Sequence, residues 1–254
     1  MLIDTHTHLY AQEFDADRNQ IIKKAMDSDI RKFYLPNIDS SSINGMLQLE
    51  KDFPGICFPM IGLHPCSVKE NVEDELKIVE DWLNKRKFCA IGEIGIDLYW
   101  DKTFFEHQKM AFRKQIDWAL KFNYPIVIHC REAFDEIFEI VSSYKTTPNG
   151  IFHCFSGTLE QANKIISLKT FKMGISGVVT FKNAGLDKVV EQIDLQHLVL
   201  ETDSPYLAPN PFRGKRNESS YLIIVAEKIC AIKNISIEQL AEVTTKNAEE
   251  IFGA

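Results

Sequence analysis

Apolar positions in this chain fall into two kinds of run that alternate along its length. Short runs rich in Ile, Val, Leu and Phe recur at 2–3, 32–36, 56–62, 88–93, 125–129, 150–153, 171–175 and 197–201, each the length of a buried strand. Between them, apolar residues return at helical spacing. The stretch 19–28 puts Ile21, Ile22, Ala25 and Met26 on one face, 73–86 turns Leu76, Val79 and Leu83 inward, and 104–122 carries Phe105, Phe112, Ile116 and Ala119 on one stripe. Helices are also predicted over 40–53, 132–144, 159–168, 186–193 and 221–231. A last helix starts at Ser236, which stands three residues before Gln239 in a capping-box pattern, and runs to about 252. Eight strand–helix alternations predict an α/β fold, a (β/α)8 TIM barrel in one domain over 1–254 with an additional C-terminal helix. No Gly-x-Gly-x-x-Gly turn favours an open dinucleotide-binding sheet instead.

The strand ends carry the chemistry. His6 and His8 lie two apart after Leu2 and Ile3, so extended backbone would send both imidazoles from one face. Glu93 closes Ala-Ile-Gly-Glu, His129 closes Ile-Val-Ile-His, His153 follows Gly-Ile-Phe, and Asp203 follows Val-Leu-Glu-Thr. In a parallel barrel all of these ends open at one mouth. Four His and two carboxylates exceed the ligand set of one catalytic zinc, which takes three protein ligands plus water. Two divalent ions fit better. A carboxylate can bridge where a neutral imidazole cannot, so Glu93 is the expected bridge, with His6, His8 and Asp203 on one ion and His129 and His153 on the other. Ions about 3.5–4 Å apart polarise a phosphoryl oxygen and generate hydroxide near neutral pH. Asp203 is also expected to accept the proton of the attacking water. Glu201, on the same face but deeper, is expected to support the ligands. His64, after the third strand, lies at the same edge, whereas His107 and His197 fall away from it.

Composition narrows the class without changing the fold. The chain has 254 residues, 45% hydrophobic and 26% charged, enough to bury a full barrel core. No low-complexity tract or Gly/Ser linker marks a boundary, no apolar run approaches membrane-spanning length, and no basic segment leads an apolar one at the N-terminus, so a cytoplasmic protein is expected. Six cysteines without a Cys-x-x-Cys pair read as reduced thiols. Cys130 and Cys154 each follow a candidate ligand, and alternation would turn them toward the helix layer. The net charge of −7 weighs against a non-specific nucleic-acid coat protein, because Lys and Arg carry that affinity.

The segments Ile3-Asp4-Thr5-His6-Thr7-His8, Gly92-Glu93-Ile94-Gly95-Ile96-Asp97, Ile128-His129-Cys130-Arg131, His153-Cys154-Phe155-Ser156-Gly157 and Glu201-Thr202-Asp203-Ser204-Pro205-Tyr206-Leu207 resemble those of the TatD-type metal-dependent deoxyribonucleases. Arg213 to Glu218 and the closing stretch 247–252 fit the same pattern; Ser219 stands where the family usually has Pro. The resemblance implies a TIM-barrel metal hydrolase with the ligand set above, two divalent ions (Zn, Mg or Mn), and DNA phosphodiesters as substrate. Single-stranded or frayed ends, attacked from the 3′ side, suit a recessed mouth. No membrane and no obligate protein partner are expected. Positive charge for the diester is expected from Arg131, Arg213, Lys215 and Arg216, hydrogen bonds from His64, Ser156 and Asn217, and stacking from Tyr99, Trp100 and Tyr206. One alternative is an ester or amide hydrolase, such as a D-aminoacyl-tRNA deacylase using the same metals. Another is a nucleic-acid-binding protein with a structural metal site, which lacks the basic stripe it would need.

Overall fold

The computed structural model describes residues 1–253. Strands β1 (Leu2–Asp4), β2 (Ile30–Leu35), β3 (Cys57–Pro59), β4 (Ile91–Asp97), β5 (Ile126–Arg131), β6 (Gly150–Phe152), β7 (Phe171–Ile175) and β8 (Leu198–Leu200) alternate with helices α1 (Arg18–Asp27), α2 (Ile43–Asp52), α3 (Val72–Lys85), α4 (Phe105–Phe122), α5 (Phe134–Ser142), α6 (Leu159–Ser167), α7 (Leu186–Gln192) and α8 (Leu222–Lys233). The strands pair in parallel as β1-β2-β3 and as β4 through β8. Two sets of backbone bonds join these runs. Ile61 N donates to Ala90 O at 3.2 Å and Gly92 N to Ile61 O at 3.0 Å, while Thr5 N reaches Leu200 O at 3.0 Å. The ring is therefore closed, a (β/α)8 barrel without a free sheet edge.

Alternation along the strands explains both the filling and the mouth. Val127, Ile151 and Val199 belong to a small inner core with Ile3, Tyr34, Met60 and Ala90. Two residues further along β5, β6 and β8 stand His129, His153 and Glu201, about 7 Å nearer the carboxyl end at the usual strand rise. The intervening Ile126, Ile128, Phe152, Leu198 and Leu200 face outward into the main core under the helices. Helix α9 (Ile237–Phe252) begins with the anticipated capping box, Gln239 N donating to Ser236 Oγ and Ser236 N to Gln239 Oε1. It closes the opposite end: Ala248 and Ile251 join the inner core, Phe252 stacks on Tyr34 at 3.9 Å, and Asn247 Nδ2 donates to Leu195 O and Leu198 O. One mouth is plugged, and the carboxyl ends of the strands open to a cavity.

Two boundaries differ from the sequence reading in ways that matter for the site. Strand β4 continues past Glu93 to Asp97 because its ladder with β5 pairs Gly95 with His129 and Asp97 with Arg131. Strand β1 stops at Asp4, and Thr5 and His6 form a bend. Thr5 N bonds β8 whereas Thr7 N bonds Tyr34 O on β2; neighbours on opposite sides for residues two apart break the ladder's parity. His6 and His8 thus lie beyond the regular strand and do not share a pleat face.

Candidate metal centre

The histidines converge all the same. His6 and His8 ring centres are 5.2 Å apart, edge to face, and the His6 ring stacks on His153 at 3.4 Å. His6 Nε2 lies 3.1 Å from Glu93 Oε2; His8 Nε2 is 3.5 Å and His153 Nε2 3.7 Å from Asp203 Oδ1. His129 Nδ1 is 2.8 Å from Glu93 Oε1, and His64 Nε2 is 3.3 Å from the same oxygen. Ligand atoms group within 4.8 Å of one another as His6–His8–Asp203, His6–Glu93–His153, His64–Glu93–His129 and His153–Cys154–Glu201. All six expected ligands are therefore in one cluster. Among the described residues His64 joins Glu93 and His129 in one group and His153 joins His6 and Glu93 in another; His153 Nε2 is also 3.7 Å from Glu93 Oε1, the oxygen that His129 meets.

Partners stand beside three of the imidazoles, His8, His129 and His153. Tyr10 donates its hydroxyl proton to Pro36 O at 2.6 Å, so its oxygen accepts from His8 Nδ1 at 2.9 Å and leaves His8 Nε2 bare toward the cluster. Asp97 Oδ2 lies 2.8 Å from His129 Nε2, directing Nδ1 at Glu93. Glu201 Oε1 lies 3.0 Å from His153 Nδ1 and accepts from Cys154 N at 2.6 Å. Carboxylate–imidazole pairs of this kind orient metal ligands and raise their basicity. Asp203 is held in the left-handed region, φ 57°, with its N–H on His6 O at 2.9 Å. Asp4 clamps the preceding residue by accepting from Thr202 N and Oγ1 at 2.9 and 2.7 Å.

Electrostatics show what the cluster suits. Burial works to raise the Glu93 pKa, but the imidazoles of His64, His153 and His6 outweigh it and hold the carboxyl well below its usual range. Asp203 is likewise lowered, burial being overcome chiefly by the neighbouring His153. Burial and the neighbouring His153 push His6 down, which keeps it neutral, the ligating form. At His153 burial is opposed by Glu201, Glu93 and Asp203, which bring it to about 10. Neither ring nitrogen of His6 has a hydrogen-bond partner although both are buried. Orphaned imidazole nitrogens among ionised carboxylates fit a cation: the charge that would hold protons on His153 would hold a divalent ion instead.

Of the other residues, His64, Arg131 and Ser156 line the cavity over the cluster, about 560 Å³ in volume, with Trp100 and Tyr206. Arg213, Arg216 and Asn217 do not. The Arg213 guanidinium lies over Phe181 at 4.1 Å, and Arg216 forms a two-point pair with Asp17 at 2.6 and 2.9 Å. Asn217 is fully buried, its amide donating to Thr202 O and Tyr206 O and its carbonyl accepting from Glu218 N. Its side chain is spent on holding the loop after β8. Cys154 does not turn to the helix layer; its φ of 46° ends the alternation, and Sγ sits 3.3 Å from Ser176 Oγ on the cavity wall. His107 is exposed on α4, and His197 ends a short turn before β8. Sequence reasoning missed Tyr10 and Asp97. Asp97 was within reach, since 93, 95 and 97 share a pleat face; Tyr10 gave no signal.

Comparison with known proteins identifies the family and the fold. A family model described as TatD related DNase matches residues 3–253. The chain is 37% identical over 254 residues to YabD of Bacillus subtilis (strain 168), an uncharacterized metal-dependent hydrolase, with 99% of both chains covered. The crystal structure of YjjV, a TatD homolog from Escherichia coli K12, superposes with a TM-score of 0.94 at 26% identity, covering 100% of this chain and 98% of that one. A TatD family hydrolase from Entamoeba histolytica shares the fold at 20% identity, TM-score 0.83, covering 99% and 98%.

Proposed function

The chain belongs to the TatD-related DNase family of metal-dependent hydrolases, and on that premise we propose that it hydrolyses DNA phosphodiester bonds from a single-stranded 3′ end. One observation carries the reading: the Glu93 carboxylate spans the cluster, Oε2 at 3.1 Å from His6 Nε2 and Oε1 at 2.8 Å from His129 Nδ1. A pair of divalent ions (Zn, Mg or Mn) held by His6, His8, Glu93, His129, His153 and Asp203 would polarise a phosphoryl oxygen and bring a water's pKa toward ~7. Glu93 keeps the two halves in register. Asp203, ionised and beside His8 and His153, accepts the proton of the attacking water. Arg131 at the rim offsets the charge of the diester. His64 accepts the Cys66 N–H on Nδ1 at 3.0 Å and so carries a proton on Nε2, directed at Glu93 Oε1 3.3 Å away on the cavity side, while the Ser156 hydroxyl on the same wall binds a phosphate oxygen.

The test uses end-labelled single-stranded DNA and charged tRNA side by side, with added divalent ion. Shortened DNA products are expected, and Asp203→Asn should lower turnover by at least about a hundredfold with an unchanged circular dichroism spectrum. Release of the amino acid with DNA untouched would replace this reading with the ester-hydrolase one.

A further inference from the structure

Among the described residues, the large apolar side chains standing exposed are Met1, Tyr99 (49%), Trp100 (69%), Tyr206 (48%) and Leu207 (38%). Apart from Met1, they come from two loops at the mouth, after β4 and after β8. Strands four apart in an eight-membered ring stand opposite each other, so these loops face across the opening, and Trp100, Tyr206 and Leu207 line its cavity. Single exposed aromatics need no explanation, but a concentration of them at the rim of a polar site does.

The β4 loop holds its aromatics out by construction. Asp97 Oδ1 accepts from Tyr99 N at 2.9 Å and Trp100 N at 3.0 Å, and Lys69 Nζ pairs with Asp101 Oδ2 at 2.9 Å. The Arg131 guanidinium lies 3.8 Å from the Tyr99 ring centre and 5.3 Å from that of Trp100, occupying the face of Tyr99 and bringing positive charge to the same edge. The Trp100 indole remains open. An aromatic surface beside a guanidinium, one cavity away from a phosphodiester site, has the chemistry of a base-stacking platform.

We propose that Trp100, braced by Tyr99 and Arg131 and faced by Tyr206 and Leu207, is a stacking subsite for one unpaired nucleobase of the strand being cut. The assignment rests on the phosphodiesterase reading for its substrate, and favours a single-stranded end: inside a duplex both faces of a base are stacked on its neighbours. Asp97 binds this loop with one oxygen and His129 with the other, so the platform stands at a set distance from the cluster.

Two measurements separate the subsite from the activity. In metal-free protein, a thymidine tetranucleotide should quench tryptophan fluorescence, an abasic tetranucleotide of the same charge should not, and Trp100→Ala should abolish the difference. With divalent ion, the abasic end should raise KM about tenfold in the parent protein, and Trp100→Ala should erase that preference with the loss falling on KM. Cleavage without base preference overturns the subsite and leaves the phosphodiesterase reading standing. Base-dependent quenching without cleavage sinks the activity and supports the subsite. Equal quenching by both tetranucleotides, or self-association that shields Trp100 without any oligonucleotide, also overturns it.

Discussion

At the scale of single residues, the cluster depends on positions that never face the cavity. Gly174 is the clearest case: a Cβ there would stand 2.1 Å from Glu201 Oε2 and 2.5 Å from its carboxyl carbon. Glu201 is fully buried beneath His153, so it has nowhere to retreat. Gly174→Ala should therefore displace Glu201, cost about 1–3 kcal/mol of stability as overpacking does, and weaken metal binding about 10–100-fold, the range for lost support of a ligating His. Calorimetric metal titration with a denaturant melt checks both; unchanged affinity would free His153 from dependence on Glu201. Nothing in the local sequence around Gly174 names the group that approaches it; the Glu201 carboxylate is brought there only by the pairing of β7 with β8.

At the scale of elements, the legible features were those written in local chemistry. The α9 start is one: Ser236 and Gln239 bond each other's backbone as their spacing implied. Ser236→Ala should destabilise the protein by about 1 kcal/mol, read as a lower urea midpoint at unchanged slope; no change would mean that the plug is held by its packing alone. The strand ends were less legible. Leu2-Ile3 identified β1, yet nothing local announces that Thr5 and Thr7 will bond opposite neighbours, because that depends on where β8 and β2 stand. The end of β4 differs for a related reason: the apolar run predicts a strand over 88–93, and only pairing with β5 extends it to Asp97.

At the scale of the whole molecule, a ring of strands gathers ionised carboxylates and imidazoles at one mouth of a chain whose net charge is −7. A cation bound there stabilises the folded state by mass action, about 4 kcal/mol when the free ion stands at a thousand times its Kd. Chelation should thus lower Tm and abolish turnover together, with both restored by added divalent ion; full turnover and an unmoved Tm in chelated protein would refute metal dependence. What the sequence determined by itself was the alternation of strand and helix and the residues at strand ends, since hydrophobic periodicity and side-chain type are local properties. Only the tertiary structure decided which nitrogen of each imidazole faces the cluster, that His64 reaches the Glu93 oxygen that His129 meets, and that Arg216 and Asn217 serve the loop after β8. Those outcomes depend on partners such as Tyr10, Asp97, Asp17 and Thr202, which barrel closure brings into contact and sequence spacing cannot.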